Sequence, residues 1–275
     1  MSGEPFFKMC GSGNDFVFLD ARDAALADWP PDRIARVCAR GTGVGADGLV
    51  FLGAGSAPGA VRFSFFNSDG SRGEMCGNGA LCATRLAVLI GLAPGPDVCL
   101  ETDAGLVQGK VSPGEQARAE LRLPDVQGAR SPAIPPAAGE EPAGFALVGV
   151  PHLVVPVRDI DEIDLPVRGR LLRGHPAVGP AGANVNFVSR HGDLWAMRTY
   201  ERGVEAETLA CGTGAVACAT ILGLRGLATL PWSVRSRSGA MLEVSGDLDA
   251  VGGLRGPKLN GLARLLYRGT LGPDA

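Results

Sequence analysis

The chain has 275 residues, of which 45% are hydrophobic and 20% charged, and its formal net charge is −3. That composition excludes a disordered chain and supplies core for one large domain or two of ordinary size. With acids and bases interspersed there is no basic stripe for a polyanion, so no nucleic-acid partner is expected.

The opening MSGEPFFKMCGSGNDF has no apolar segment followed by a small-residue cleavage site. The longest apolar stretch, LAVLIGLA after Arg85, falls far short of the roughly 20 residues that span a bilayer. No membrane partner and a cytoplasmic location are therefore expected. FFKMCGSGNDFVFLD reads as a strand, a Gly-Ser-Gly turn and a second strand. PDRIARVCAR places Ile34, Val37 and Cys38 at helical spacing between a proline start and the glycine-rich GTGVGADG. GLVFLG, VRFSFFNSDG and DVCLETDAGLVQGKV follow as strands flanking a helix that begins near Cys76, and AELRLPDV closes the first half. QGARSPAIPPAAGEEPAG, rich in Pro, Ala and Gly and without apolar periodicity, reads as a linker or inter-domain loop.

The second half repeats the scheme. FALVGVPHLVVPV, a short helix around PVRGRLLRG, strands at ANVNFVSR and DLWAMRTYERG, a helix after Cys211 and WSVRSRSGAMLEVSG follow in order. Each half has several strands and one helix apolar nearly all round, ALCATRLAVLIGL or AVACATILGLRGL, and such helices are buried on most sides. The expected fold is α+β, mainly antiparallel, as two similar domains each enclosing a helix. The expected boundaries are 1–121 and 122–261, with the tail 262–275 returning to the first domain.

The chemistry gathers where the halves repeat most closely, RGEMCGNGALCA and TLACGTGAVACA. A cysteine at a helix N-terminus sees the positive end of the dipole, which favours thiolate over thiol. The neighbouring N–H groups can cradle a carboxylate, and glycines on either side of Asn78 or Thr213 clear its approach. Two such starts facing one another would place a sulfur on each side of the carbon next to a bound carboxylate. One thiolate takes the α-proton and the opposite thiol delivers another, so the centre inverts without a cofactor. The competing readings are that Cys76 and Cys211 are small buried residues at helix caps, or that they form a disulfide.

Seven cysteines, an odd count, argue for free thiols, with Cys82 and Cys218 as packing residues and no role for Cys10, Cys38 or Cys99. The three histidines lack metal-ligand spacing, so no metal is expected. Lys8, Lys110 and Lys258 lie outside any pyridoxal-phosphate context.

The segments GSGNDF, GVGADG, FNSDGS, MCGNGA, PHLVV, NVNFV, YERGVEAETLACGTGA and SGAMLEV, in order along nearly the whole chain, resemble the diaminopimelate epimerases. The resemblance implies two pseudo-symmetric α+β domains, each a strand barrel around a central helix, with the site in the cleft between them. It implies cofactor-independent interconversion of L,L- and meso-diaminopimelate, serving lysine and peptidoglycan precursor synthesis, by a homodimer. Carried over by position, Cys76 and Cys211 are the acid/base pair, while His152 and Glu201 poise the thiols and hold the reacting ammonium. Gly77, Asn78, Gly212 and Thr213 cradle the reacting carboxylate, and Asn14 lies near that end. Arg202, Asn67 and Asn186 recognise the distal end.

Read without the resemblance, His152 is equally a core histidine, Glu201 a surface ion-pair partner of Arg202, and each asparagine a turn former. The chain departs from some members at Gly48, where they carry Gln, and at Val150, where they carry Asn; both changes bear on the distal end. Rival readings are a proline, hydroxyproline or histidine racemase, a phenazine-pathway type of isomerase, and a non-catalytic binder of small carboxylates. Proline racemases carry His at the position of Asn78, and the phenazine-pathway type lacks the matched cysteine pair.

Overall fold

The computed structural model describes residues 3–22, 26–114, 117–249, 251–273 and 275. The chain divides into two compact units, residues 1–121 with 260–275 and residues 122–259.

In the first unit, β1 (Pro5–Gly11) turns through Ser12, held at φ 51°, into antiparallel β2 (Asn14–Asp20). Helix α1 (Pro31–Cys38) then carries the chain to β3 (Gly48–Ala54), parallel to β2. Antiparallel β4 (Ala60–Asn67) and the short β5 (Arg72–Gly73) lead into α2 (Gly77–Leu89). After the helix, β6 (Asp97–Thr102) lies parallel to β4 and pairs with antiparallel β7 (Gly105–Val111), and β8 (Arg118–Arg122) closes the run.

The second unit repeats this order strand for strand. Antiparallel β9 (Gly144–Val148) and β10 (Val150–Pro156) precede α3 (Leu165–Arg173), and β11 (Asn184–His191) returns parallel to β10. Antiparallel β12 (Leu194–Glu201) and β13 (Ala206–Thr208) lead into α4 (Gly212–Leu224). β14 (Trp232–Arg235) then lies parallel to β12 and pairs with antiparallel β15 (Met241–Asp249), followed by β16 (Gly253–Leu262). Finally β17 (Arg264–Thr270) pairs antiparallel with β1.

Alternation along β2 decides which helix each side chain meets. Val17 and Leu19 join Ile34, Val37 and Phe51 under α1, whereas Phe16 turns the other way, to Phe65, on the side that carries α2. α2 touches β1 to β4, β6, β7 and β17, so strands surround it; α4 touches β9, β10, β11 and β15 in the same manner. A helix without a polar face is stable only when covered in this way.

Two expectations shift. The segment 127–144 is not an inter-domain linker, because all of it lies in the second unit. Ile134 is buried in that unit's core and the Arg168 guanidinium grips Glu140 at 2.6 and 2.7 Å. The tail belongs with the first unit from Asn260, two residues earlier than 262, since the Asn260 side chain bonds Arg118 (2.5 Å) and Ser112 (2.9 Å) there.

Candidate active site

Cys76 and Cys211 are the N-caps of α2 and α4, two helices of 13 residues each. Both are extended, Cys76 at φ −135°, ψ 119° and Cys211 at φ −131°, ψ 107°, and neither side chain caps its helix. Ser, Thr, Asp or Asn would close a first-turn N–H there, worth about 1 kcal/mol. Cysteine forgoes that bond at both sites, a break in local rules of the kind expected where function overrides stability. The first bonds closing on the two cap carbonyls come from Ala80 (2.8 Å) and Ala215 (3.0 Å). Helical geometry gives the N–H groups before them no acceptor within the helix, which is the basis of an anion cradle.

Around Cys76, which is half-buried, the support is charged. Asn78 is buried and donates to Asn14 Oδ1 at 2.7 Å, and Asn14 in turn donates to Asp47 at 3.0 Å. Arg40 bonds both Asp47 (2.7 Å) and Asp15 (2.6 Å), and the buried Lys8 ammonium meets the other Asp15 oxygen at 2.6 Å. Burial pushes the Asp15 carboxyl up, but the hydrogen bonds from Arg40 and Lys8 outweigh it and hold it below the usual range. Asn67, exposed at the end of β4, donates to Ser71 at 3.0 Å. At Gly48, opposite Asn67, a Cβ would lie 2.6 Å from both the Phe65 ring and the Phe66 carbonyl, so a glutamine here would require the ring and the β4 backbone to shift.

Around Cys211, which is buried, the support is neutral. Its sulfur lies 3.7 Å from the Thr213 hydroxyl. Gly214 follows on the first turn, and a Cβ there would collide with Asn186 Oδ1 and reach within 3.2 Å of the Cys211 sulfur. Asn186 is fully buried, as is His152, whose Nδ1 is 3.2 Å from the Asn186 amide nitrogen. Burial, then the Arg202 charge, push the imidazole down to about 3, so it is neutral at pH 7. Burial raises the Glu201 carboxyl, with the Thr208 hydroxyl acting in the other direction.

Arg202 donates its backbone N–H to Asn184 Oδ1 (2.8 Å) and a guanidinium N–H to the Ala181 carbonyl (3.4 Å). Among the described residues no carboxylate pairs with that guanidinium.

The first unit thus brings Asn14 to Asn78 beside Cys76. The second brings His152, Asn186, Thr213 and Cys211 into one cluster, with Glu201 and Arg202 at the end of β12. Asn186 differs from its expected role at the distal end, because protein groups take both ends of its amide: Thr199 donates to Oδ1 at 3.0 Å and the Leu153 carbonyl accepts from Nδ2 at 3.1 Å. Sequence reading missed Asn184 and Thr199. Asn184 shares a strand face with Asn186 two residues away, a period-2 signal present in NVNF, whereas Thr199 is its partner across β11–β12 and left no local trace.

None of the seven cysteines is in a disulfide; burial pushes up both Cys82 and Cys218, in keeping with packing roles. Among the described residues no group of three or more His, Cys, Asp or Glu forms a metal site, and no helix is long and apolar enough to cross a membrane.

The family described as diaminopimelate epimerase matches residues 6–121 and 144–251. The diaminopimelate epimerase of Gemmatimonas aurantiaca is 42% identical, covering 97% of this chain and 98% of that protein. That of Aquifex aeolicus is 44% identical, covering 90% and 92%. Among solved structures, a phenazine biosynthesis protein of the PhzF family from Bacillus anthracis superposes with TM-score 0.76 at 14% identity, covering 98% of this chain and 99% of that one. A probable proline racemase from Agrobacterium radiobacter gives 0.70 at 17%, covering 98% and 93%. At those identities the structures establish the fold.

Proposed function

Because the chain belongs to the diaminopimelate epimerase family, we infer that it is an isomerase interconverting L,L- and meso-diaminopimelate. In the mechanism we propose, the Cys76 thiolate removes the α-proton of the L,L isomer. The electron pair left on carbon delocalises into the carboxylate, held by first-turn N–H groups of Gly77, Asn78, Gly212 and Thr213. The Cys211 thiol then delivers its proton to the opposite face, leaving Cys76 as thiol and Cys211 as thiolate, and the reverse reaction exchanges the roles. The scheme requires no cofactor.

The observation that supports this most is the pair of cysteines at matched helix starts, in matched backbone conformation, neither used as a cap. His152 and Glu201 serve the thiols and the reacting ammonium, with Asn14 beside that end. Arg202, lacking a carboxylate partner among the described residues, takes the distal carboxylate, and Asn67 contributes to the distal ammonium. With glycine at 48 the side-chain amide of the glutamine-bearing members is missing, so more of the distal recognition falls on Arg202. A cytoplasmic homodimer in lysine and peptidoglycan precursor synthesis completes the proposal.

The test is incubation of reduced protein with L,L-diaminopimelate, and separately with L-proline and L-histidine, followed by chiral separation. Appearance of the meso isomer alone, with no D-proline or D-histidine, is the expected result. Inversion of proline or histidine instead would keep the chemistry and discard the substrate; no inversion of any of them would discard both.

A further inference from the structure

His152 and Asn186 are both completely buried, and the bonds around them leave one arrangement of protons. The Leu153 carbonyl, 3.1 Å from Asn186 Nδ2, can only accept, so the NH2 end of the amide must face it; a flipped amide would set two oxygens against each other. Thr199 then donates its hydroxyl to Asn186 Oδ1 at 3.0 Å. The second N–H of the same NH2 group is left for His152 Nδ1 at 3.2 Å, which must offer a lone pair to receive it. Gly214, which has no room for a Cβ against Asn186 Oδ1, closes the amide in from the first turn of α4. At the far side of the imidazole, Nε2 is buried without a hydrogen-bond partner among the described residues.

We infer that Asn186, oriented by Thr199 and the Leu153 carbonyl, is a positioning residue that holds His152 as its neutral Nε2–H tautomer, so that His152 donates a hydrogen bond and does not accept a proton. The fourth bond of this chain is then the Nε2–H itself, aimed at an anionic atom of the reaction, a thiolate sulfur or a carboxylate oxygen. An imidazolium would turn Nδ1–H against the Asn186 N–H, an opposition that adds to burial and to the Arg202 charge in keeping the ring neutral. The inference rests on the reading that His152 belongs to the reacting site.

The experiment is long-range proton–nitrogen NMR of the whole chain labelled with 15N-histidine at neutral pH. The His152 signal is assigned by its loss in His152→Gln, since His175 and His191 also contribute. The expected spectrum has protonated Nε2 and bare Nδ1; a protonated Nδ1, an imidazolium or an averaged pair of tautomers overturns the inference. Asn186→Asp can only accept, so it should draw the proton to Nδ1. Its kcat should fall on the order of 10- to 100-fold, as when partners that fix an imidazole are lost, with a smaller change in KM. If that variant does not fold, Asn186→Ala removes the donor without adding charge, and its spectrum should become a mixture with a similar loss of kcat. A variant of Asn186 that keeps the parent tautomer and kcat overturns the inference. Should His152→Gln and His152→Ala both turn over at the parent rate, His152 lies outside the reacting site, whereas the wild-type spectrum still decides the tautomer.

Discussion

Cys76 and Cys211 share a backbone conformation, a helix length and a Cys-Gly-x-Gly setting, yet the two helix starts rest on different chemistry. The first stands on a chain of charges, Asn78 to Asn14 to Asp47 to Arg40 to Asp15 to Lys8, with its thiol half-buried. The second rests on hydrogen bonds among uncharged groups, Thr213 at the sulfur and Asn186 with His152 and Thr199 behind Gly214, with the Arg202 charge reaching the imidazole and the thiol buried. The repeat therefore preserves what a symmetric proton transfer needs, one sulfur and one row of N–H groups per unit. It leaves the surroundings of each sulfur free to diverge.

The largest effect tests the shared part. Cys76→Ala and Cys211→Ala should each lower kcat by roughly 10²- to 10⁴-fold with little change in the urea midpoint. A variant at either position with parent kcat would break the equivalence.

The next separates the supports by pH. His152 titrates in the folded chain at about 3, below its ordinary 6.5, so as pH falls the unfolded chain takes up the proton first. The second unit should lose about 1.4 kcal/mol of stability per pH unit from about 6.5 down toward 3. Glu201, raised by burial, works in the opposite sense. In the first unit the Asp15 contribution is complete above the ordinary carboxylate value of 3.8 and is lost only as pH falls through its lowered folded value. Trp29 reports the first unit, and Trp195 and Trp232 the second. Fluorescence of Trp29→Phe should therefore change at higher pH than that of the Trp195→Phe/Trp232→Phe chain; coincident acid transitions would contradict the contrast.

A smaller difference lies in the third residue after each cysteine. Gly214→Ala forces a methyl group into Asn186 and should cost about 1–3 kcal/mol by overpacking. A Cβ on Gly79 would lie 3.5 Å from Cys76 Cβ and from the Phe63 ring, ordinary contact, so Gly79→Ala should shift stability by less than about 1 kcal/mol. Urea unfolding of the two variants side by side checks the asymmetry. Smallest of all, iodoacetamide at limiting concentration should label Cys76 ahead of Cys211, read by peptide mass spectrometry, because Cys211 is only 7% exposed.

What the sequence displayed and what it hid divide along the range of the interactions. The strands, the four α-helices and the cysteine pair were legible because periodicity, proline and glycine punctuation and the repeated motif are local. β16 and β17 were not: the buried positions of β16 change phase across Gly256, whose φ of 53° interrupts the alternation, and β17 has no buried position to mark a face. The chain from Asn78 to Lys8 and the clamp on Asn186 join residues distant in sequence, and no short segment records them. Asn186 was conspicuous for its residue type, but only the carbonyl of Leu153 and the hydroxyl of Thr199 reveal that its amide is occupied by the protein.

The central claim, proton transfer between two separate thiols, is tested most directly by the fate of solvent deuterium at early times. L,L-diaminopimelate is incubated with reduced protein in D2O and stopped within the first few per cent of conversion, and the Cα–H signals of substrate and product are integrated by NMR. Two thiols predict product carrying deuterium at the inverted centre while the remaining substrate keeps its proton. Product that retains the substrate's proton, or substrate that exchanges as fast as product forms, would contradict the account.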